Sequence, residues 1–186
     1  MDYYSIEDFA VQEINIENCM MLLKWRNSPE IHSKMLTDHI ITEHEHLEWV
    51  RKIKDDVNKH NFFFTYKDKP IGYLGYADIN IGEHSCLPGV YLVPNTEMPK
   101  NAGFYLFFIM NDYAFSKMNM MSLRTEVFED NKVALWMNKL FGYESVPTGD
   151  SIVIKDRIEK KVKNFVLTRD HWLEIKSGLL DFMEGV

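Results

Sequence analysis

The spacing of hydrophobic and polar positions changes several times along the chain, and each change predicts an element. Ala10-Val11-Gln12-Glu13-Ile14 predicts a first strand over 10–14. Asn15 is placed to cap a helix that runs to about Asn27. Ser28-Pro29-Glu30 starts afresh, with Ser at the N-cap and Pro at the first helical position, where its missing N–H costs nothing. Thr42-Glu43-His44-Glu45 fits a capping box. Leu47, Val50, Ile53 and Val57 then fall at helical spacing, so 43–57 reads as an amphipathic helix.

From Asn61 the texture turns aromatic and β-prone. Phe62–Tyr66, a turn at Lys67-Asp68-Lys69-Pro70, and Ile71–Ile79 predict a hairpin. Cys86–Val93 extends it to a three-strand meander, and Pro88 marks a bulge or an edge near its start. A polar loop over 94–101 leads into Ala102–Lys117, a helix apolar almost all round and therefore buried against a sheet. Ser122–Phe128 is a strand. Asn131 caps a helix to about Phe141, and Gly142 ends it. Residues 143–168 read as two strands around a turn at Thr148-Gly149-Asp150, and Asp170 is placed to cap a last helix. This order predicts an α/β (α+β) domain with three layers around a mixed sheet. Nothing resembles a linker or a repeat, so 1–186 reads as one domain, with a core over about 10–170 and a C-terminal helix over 171–186.

Composition narrows the functions. With 21 basic and 28 acidic residues the net charge is −7, which argues against a broad nucleic-acid surface. A small anion held at a local site stays open. Two cysteines, Cys19 and Cys86, are too few for a disulfide framework and read as reduced thiols. The polar N-terminus and the short longest apolar run, Ala102–Met110, predict neither a signal peptide nor a membrane span, and hence a cytoplasmic protein.

The strand–loop–helix stretch over 90–106 carries the chemistry. The free N–H groups and positive dipole end of a helix start suit an anion, and Ala102 and Gly103 let one approach the backbone beside Lys100. This arrangement resembles the coenzyme-A pyrophosphate loop of the GNAT superfamily of N-acetyltransferases, usually Gln/Arg-x-x-Gly-x-Gly/Ala. Here the positions fall on Met98 to Gly103, and only the last glycine matches. Glu126-Val-Phe-Glu-Asp-Asn131, Ala134, Leu135 and Phe141-Gly142-Tyr143 resemble the superfamily's strand, Asn-capped helix and Gly-aromatic exit. Trp25-Arg26-Asn27-Ser28-Pro29, Met35, Thr42…His46-Leu47 and Lys100-Asn101-Ala102-Gly103 are similar to one subgroup, the amino-sugar nucleotide N-acetyltransferases of the pseudaminic acid pathway.

The resemblance implies a GNAT fold, α/β/α around a central, mostly antiparallel sheet of six to seven strands. It implies acetyl transfer from acetyl-CoA to a primary amine, with a nucleotide-linked 4-amino-4,6-dideoxy sugar as the foremost acceptor. Protein N-termini, another small amine, or a weakly catalytic acyl-CoA-binding module are the alternatives. Tyr91, Leu92, Val93, Lys100, Asn101, Ala102, Gly103, Phe104, Asn131 and Asn138 are the cofactor residues it implies. Glu126 is the base it implies, acting directly or through water; the alternative is an exposed strand Glu or a partner of Arg124. Where much of the family has a Tyr four residues before the helix-ending Gly to protonate the thiolate, this chain has Asn138, which has no acidic proton to give. Tyr105, Tyr143 and Tyr91 are the substitute donors to consider, beside water or unassisted departure. Arg26 and Asn27 border the implied acceptor site, unless Arg26 only offsets a helix dipole. Met35, His39 and Tyr76 are its further lining residues. A homodimer is left open, because Trp172, Leu173, Ile175, Leu179, Leu180 and Phe182 would pack on the sheet or on a second copy. No metal is expected: His44 and His46 lie two apart on a helix and point in different directions.

Overall fold

The computed structural model describes residues 4–55 and 60–185. Its elements are β1 (Ser5–Ile6), β2 (Phe9–Glu13), α1 (Cys19–Arg26), α2 (Pro29–His32), α3 (Glu43–Asp55), β3 (His60–Tyr66), β4 (Lys69–Asn80), β5 (Ser85–Leu92), α4 (Ala102–Ser116), β6 (Ser122–Phe128), α5 (Lys132–Leu140), β7 (Glu144–Ser145), β8 (Ser151–Lys155), β9 (Ile158–Thr168) and α6 (Arg169–Glu184). Asp56 and Val57, at the end of the predicted helix over 43–57, lie outside the described residues.

The sheet runs β1-β2-β3-β4-β5-β6-β9-β7, with β8 paired to β9. Among the described residues it holds nine strands rather than six to seven: β1, two residues long, leaves no sequence signal, and a second turn at Asp156-Arg157 splits the stretch after Thr148-Gly149-Asp150 into β8 and β9. Junctions are antiparallel except β5–β6, which is parallel.

Alternation on β3 splits the core into two layers. Phe62 and Phe64 face α4 and α6, joining Tyr105, Leu106, Ile109, Trp172 and Leu179. Phe63 faces the other way, against Ile14, Cys19, Leu22, Val50 and Ile53. Both cysteines are free and buried, one in each layer. Helix α6 packs on the core through Trp172, Leu179 and Met183, leaving Leu173 and Phe182 exposed. Asp112 on α4 joins three parts of this layer. It accepts hydrogen bonds from the Tyr4 hydroxyl, from Trp172 Nε1 at 3.1 Å and from Lys176 Nζ at 3.3 Å.

Local signals hold where a side chain reaches its own backbone. Thr42 Oγ1 accepts from Glu45 N (3.2 Å) and Glu45 Oε2 from Thr42 N (3.4 Å), completing the capping box. Asn131 Oδ1 accepts from Ala134 N at 3.3 Å. Gly142 has φ of 76°, and a Cβ there would meet Ile175 Cδ1 at 2.6 Å. Two caps move. Asn15 does not cap α1: its Oδ1 accepts from the amides of Glu17 and Asn18, a turn that ends the strand and delays the helix to Cys19. Asp170 does not cap α6; Thr168 does, its hydroxyl accepting from His171 N at 3.4 Å.

Candidate active site

Pairing between β5 and β6 stops at Cys86↔Leu123, although β5 continues to Leu92 and β6 to Phe128. Beyond that rung β5 is paired only with β4, as far as Gly72↔Leu92. The middle of a sheet is thus opened into a wedge whose backbone edge is free to take another strand-like group. Pro88 falls in this one-sided stretch, which accounts for a proline in an otherwise central strand. Gly89 is exposed, and a Cβ there would meet nothing within 4 Å.

The loop after β5 delivers the N-terminus of α4 next to this wedge. Met98 is half-buried against the core, so an apolar side chain anchors the loop where the family carries Gln or Arg. Ala102 N turns back to Pro99 O (3.1 Å) and Phe104 N to Asn101 O (2.9 Å), giving a tight helix entry. No acidic residue lies in the first turn of α4, and Lys100 is exposed beside it. A Cβ on Gly103 would touch only Leu92 Cδ1, at 3.8 Å. A positive dipole end with an open backbone and no competing carboxylate suits a diphosphate. Trp136 on α5, half exposed, lies with its ring 5.9 Å from Phe104, which also meets Phe182 at 5.6 Å. Sequence reading missed Trp136; its one signal is a tryptophan on a short helix following Asn131.

Leu123 belongs to the α4 layer, so by alternation the exposed Arg124 and Glu126 face the α1–α3 side. Tyr91 faces the same side, stacked on Tyr73 at 5.2 Å. Burial pushes the Tyr73 phenol up to about 12, and the Arg26 charge pulls it partly back. Burial also raises Tyr91, again against Arg26. Arg26 ends α1 next to Trp25, which packs in the same layer as both rings, and its Nη2 donates to Thr37 Oγ1 at 3.4 Å. The Tyr91 hydroxyl and Asn61 Nδ2 are buried without hydrogen-bond partners. Met35 is half-buried on the segment between α2 and α3, and His39 is exposed, its Nε2 2.9 Å from Glu45 Oε1.

Three predicted site residues turn out to be structural. Tyr76 is 1% exposed and its hydroxyl donates to Met110 O at 2.6 Å, so it lies under α4 rather than on an acceptor pocket. Its position on β4 fixed this: it points to the opposite face from Tyr73. Asn138 is 1% exposed and its Nδ2 donates to Thr125 Oγ1 at 2.8 Å, so it fastens α5 to β6 and does not stand open to a cofactor. Asn27 accepts from Ile41 N (2.9 Å) and donates to Ile41 O (2.8 Å), which commits its amide to closing the segment between α1 and α3. The alternative proton donors are no better placed. Tyr143 is buried and donates to Asn111 Oδ1, and burial raises both its phenol and that of Tyr91, so handing a proton to a thiolate is uphill. Tyr105 is buried in the α4 layer, 4.5 Å from Phe9. His44 is exposed and His46 buried, the latter 2.9 Å from Cys19 O, as an element-to-element tie.

A family model described as an acetyltransferase (GNAT) domain matches residues 11–152. Acetyltransferase PseH of Campylobacter jejuni subsp. jejuni serotype O:2 is 36% identical over 131 residues, covering 70% of this chain and 78% of that protein. Its counterpart in serotype O:23/36 is 36% identical over 124 residues, covering 66% and 74%. Among solved structures, spermidine N-acetyltransferase from Vibrio cholerae, in complex with CoA and spermine, matches with a TM-score of 0.82 at 16% identity, over 89% of this chain and 98% of that one. That last likeness is one of fold.

Proposed function

The chain belongs to the GNAT acetyltransferases, and on that premise we propose that it moves an acetyl group from acetyl-CoA to the amine of a nucleotide-linked 4-amino-4,6-dideoxy sugar. The observation that carries the cofactor half is the wedge beyond Cys86↔Leu123 beside an α4 N-terminus with no carboxylate in its first turn. The backbone of Tyr91, Leu92 and Val93 would line the pantetheine arm; Val93 N already donates to Ile71 O at 2.9 Å, so by alternation the N–H turned to the open side, which would polarise the thioester carbonyl, is that of Leu92. One such donor contributes about 3 kcal/mol to lowering the barrier. The amides of Lys100, Asn101 and Gly103 and the Lys100 charge would hold the diphosphate. Phe104 and Trp136 would offer an aromatic ledge to the adenine. Asn131, its oxygen engaged in the α5 cap, would have its amide nitrogen left for the pantetheine.

The acceptor half is supported by similarity to acetyltransferase PseH and by the Arg26 guanidinium at the end of α1, in the layer that holds Tyr73 and Tyr91. A guanidinium among phenols suits a sugar-linked diphosphate. Met35 and His39 would border the sugar. Glu126 would take the amine proton, directly or through one water, and Asn138 leaves thiolate departure without a phenol at the family's usual place. A cytoplasmic location fits a reaction that draws on acetyl-CoA.

Thiol release from acetyl-CoA, measured over amino-sugar nucleotides, peptides with free N-termini and polyamines, tests this reading. Turnover confined to the sugar nucleotides, with a mass gain of one acetyl group on the sugar amine, is the expected result. Preferred turnover of peptides or polyamines would move the acceptor to that class. Cofactor binding with no thiol release on any acceptor would make the chain a binding module, a reading that the buried Asn138 favours.

A further inference from the structure

The side chain of Lys155 ends β8 and is buried, with the residue 0% exposed. Its Nζ donates to the backbone oxygen of Thr37 at 2.6 Å and lies 3.9 Å from Asp38 Oδ1. Next to it, Asp156 N donates to Asp38 Oδ1 at 2.8 Å. The tip of the β8–β9 hairpin, where Asp156 and Arg157 both have positive φ, is thus tied twice to the segment between α2 and α3, 118 residues back in sequence. Thr37 is bonded from two sides: its carbonyl takes the Lys155 ammonium and its hydroxyl takes Arg26 Nη2. Arg26 ends α1, whose Leu22 and Trp25 pack in the same layer as Tyr91, on the stretch of β5 that is paired with β4 alone.

A buried ammonium is an expensive way to fix a loop, since apolar residues of similar size are often neutral or stabilising in such places. What it gives here is direction. One carbonyl and one hydroxyl of the same residue are held at a set separation, and the guanidinium is aimed by the second. We infer that Lys155 is a positioning residue for the acceptor: through Thr37 it sets where Arg26 stands beside the reaction cleft. This rests on the acceptor side proposed above, but the strut itself does not.

The test therefore has two arms. In Lys155→Met, hydrogen exchange of the amides over 33–42 should quicken at least tenfold, while the amides of α4 and β4 keep their wild-type rates. The kinetic arm uses whichever amine the wild type turns over. The acceptor KM should rise about tenfold, with kcat and the acetyl-CoA KM within twofold of wild type, and Lys155→Arg should restore part of the loss. Thr37→Val keeps the carbonyl and removes the hydroxyl, so it should raise the acceptor KM without loosening the segment, and it serves if Lys155→Met fails to fold. Unchanged exchange over 33–42 would overturn the strut. A loosened segment with an unchanged acceptor KM would overturn the positioning role. If the wild type rejects amino-sugar nucleotides but accepts another amine, the sugar reading fails while both arms still decide this one.

Discussion

Cys86 on β5 and Leu123 on β6 are the last paired residues of the sheet's parallel junction, and both side chains are fully buried in the α4 layer. Core packing thus holds the two strands together up to this rung and lets them part beyond it. Exposed positions on the parted stretch, such as Gly89, are therefore open to substitution without unfolding the protein.

Gly89 offers the cleanest case. Its missing Cβ faces open space, and valine is favoured over glycine in a strand. Gly89→Val should keep or slightly raise Tm by differential scanning fluorimetry, yet cut kcat/KM at least tenfold by filling the cleft. A stable variant of full activity would show that this space is not used.

Gly103→Glu should separate stability from binding in opposite directions. A carboxylate in the first turn of a helix stabilises it by about 0.3–1 kcal/mol, and the site has room for the side chain. The same charge would sit where the diphosphate is proposed to bind. Titration calorimetry should show acetyl-CoA affinity falling at least a hundredfold while Tm holds. Unchanged affinity would move the diphosphate elsewhere.

Glu126→Gln removes a proton acceptor from an exposed position, so the fold should be unaffected. General-base catalysis contributes about 10²–10⁴-fold. At neutral pH kcat/KM should fall about a hundredfold, and the deficit should shrink as rising pH deprotonates the amine in solution. A pH–rate profile parallel to that of the wild type would assign the residue to the surface alone.

Asp112 carries a prediction about acid stability. Burial pushes its carboxyl up, but the Tyr4 hydroxyl, the Trp172 N–H and the Lys176 ammonium outweigh this, and the net shift is down. A carboxylate whose folded pKa is depressed stabilises above its unfolded value, and that contribution is lost as pH falls through the folded one. Asp112→Asn should lose about 2 kcal/mol at pH 7 by urea denaturation, the scale of a hydrogen bond to a charged group. The gap between variant and wild type should close below the ordinary carboxylate range. A gap that persists there would mean that packing, not charge, holds α4 to α6.

Much of the architecture was legible locally. The Thr42–Glu45 capping box, the Asn131 cap and the Gly142 exit depend on contacts within a few residues, the strand over 62–66 on its run of aromatic, β-prone residues, and the faces of the strand over 122–128 on alternation. Cap errors came at Asn15, whose oxygen is taken by the turn amides of Glu17 and Asn18 before the helix starts, and at Asp170, where Thr168 two residues earlier supplies the cap. The strand–loop–helix at 90–106 could be read as an anion site because helix-terminal amides do not depend on side-chain identity.

Side-chain direction was decided elsewhere. Tyr73 and Tyr76 read alike along the chain, yet one faces the α1–α3 layer and the other lies beneath α4, because a strand in a three-layer sheet has two interiors. Asn138 could be counted to the family's tyrosine position, but only packing showed its amide spent on Thr125. The pairing of Lys155 with Thr37 spans 118 residues, and no local pattern encodes it. The sequence by itself determined the longer elements, their order and the anion-friendly helix start, since these follow from short-range periodicity and backbone hydrogen bonding. Tertiary structure alone decided where β5 and β6 part and which polar groups face the gap, since those depend on how distant layers bury their apolar faces.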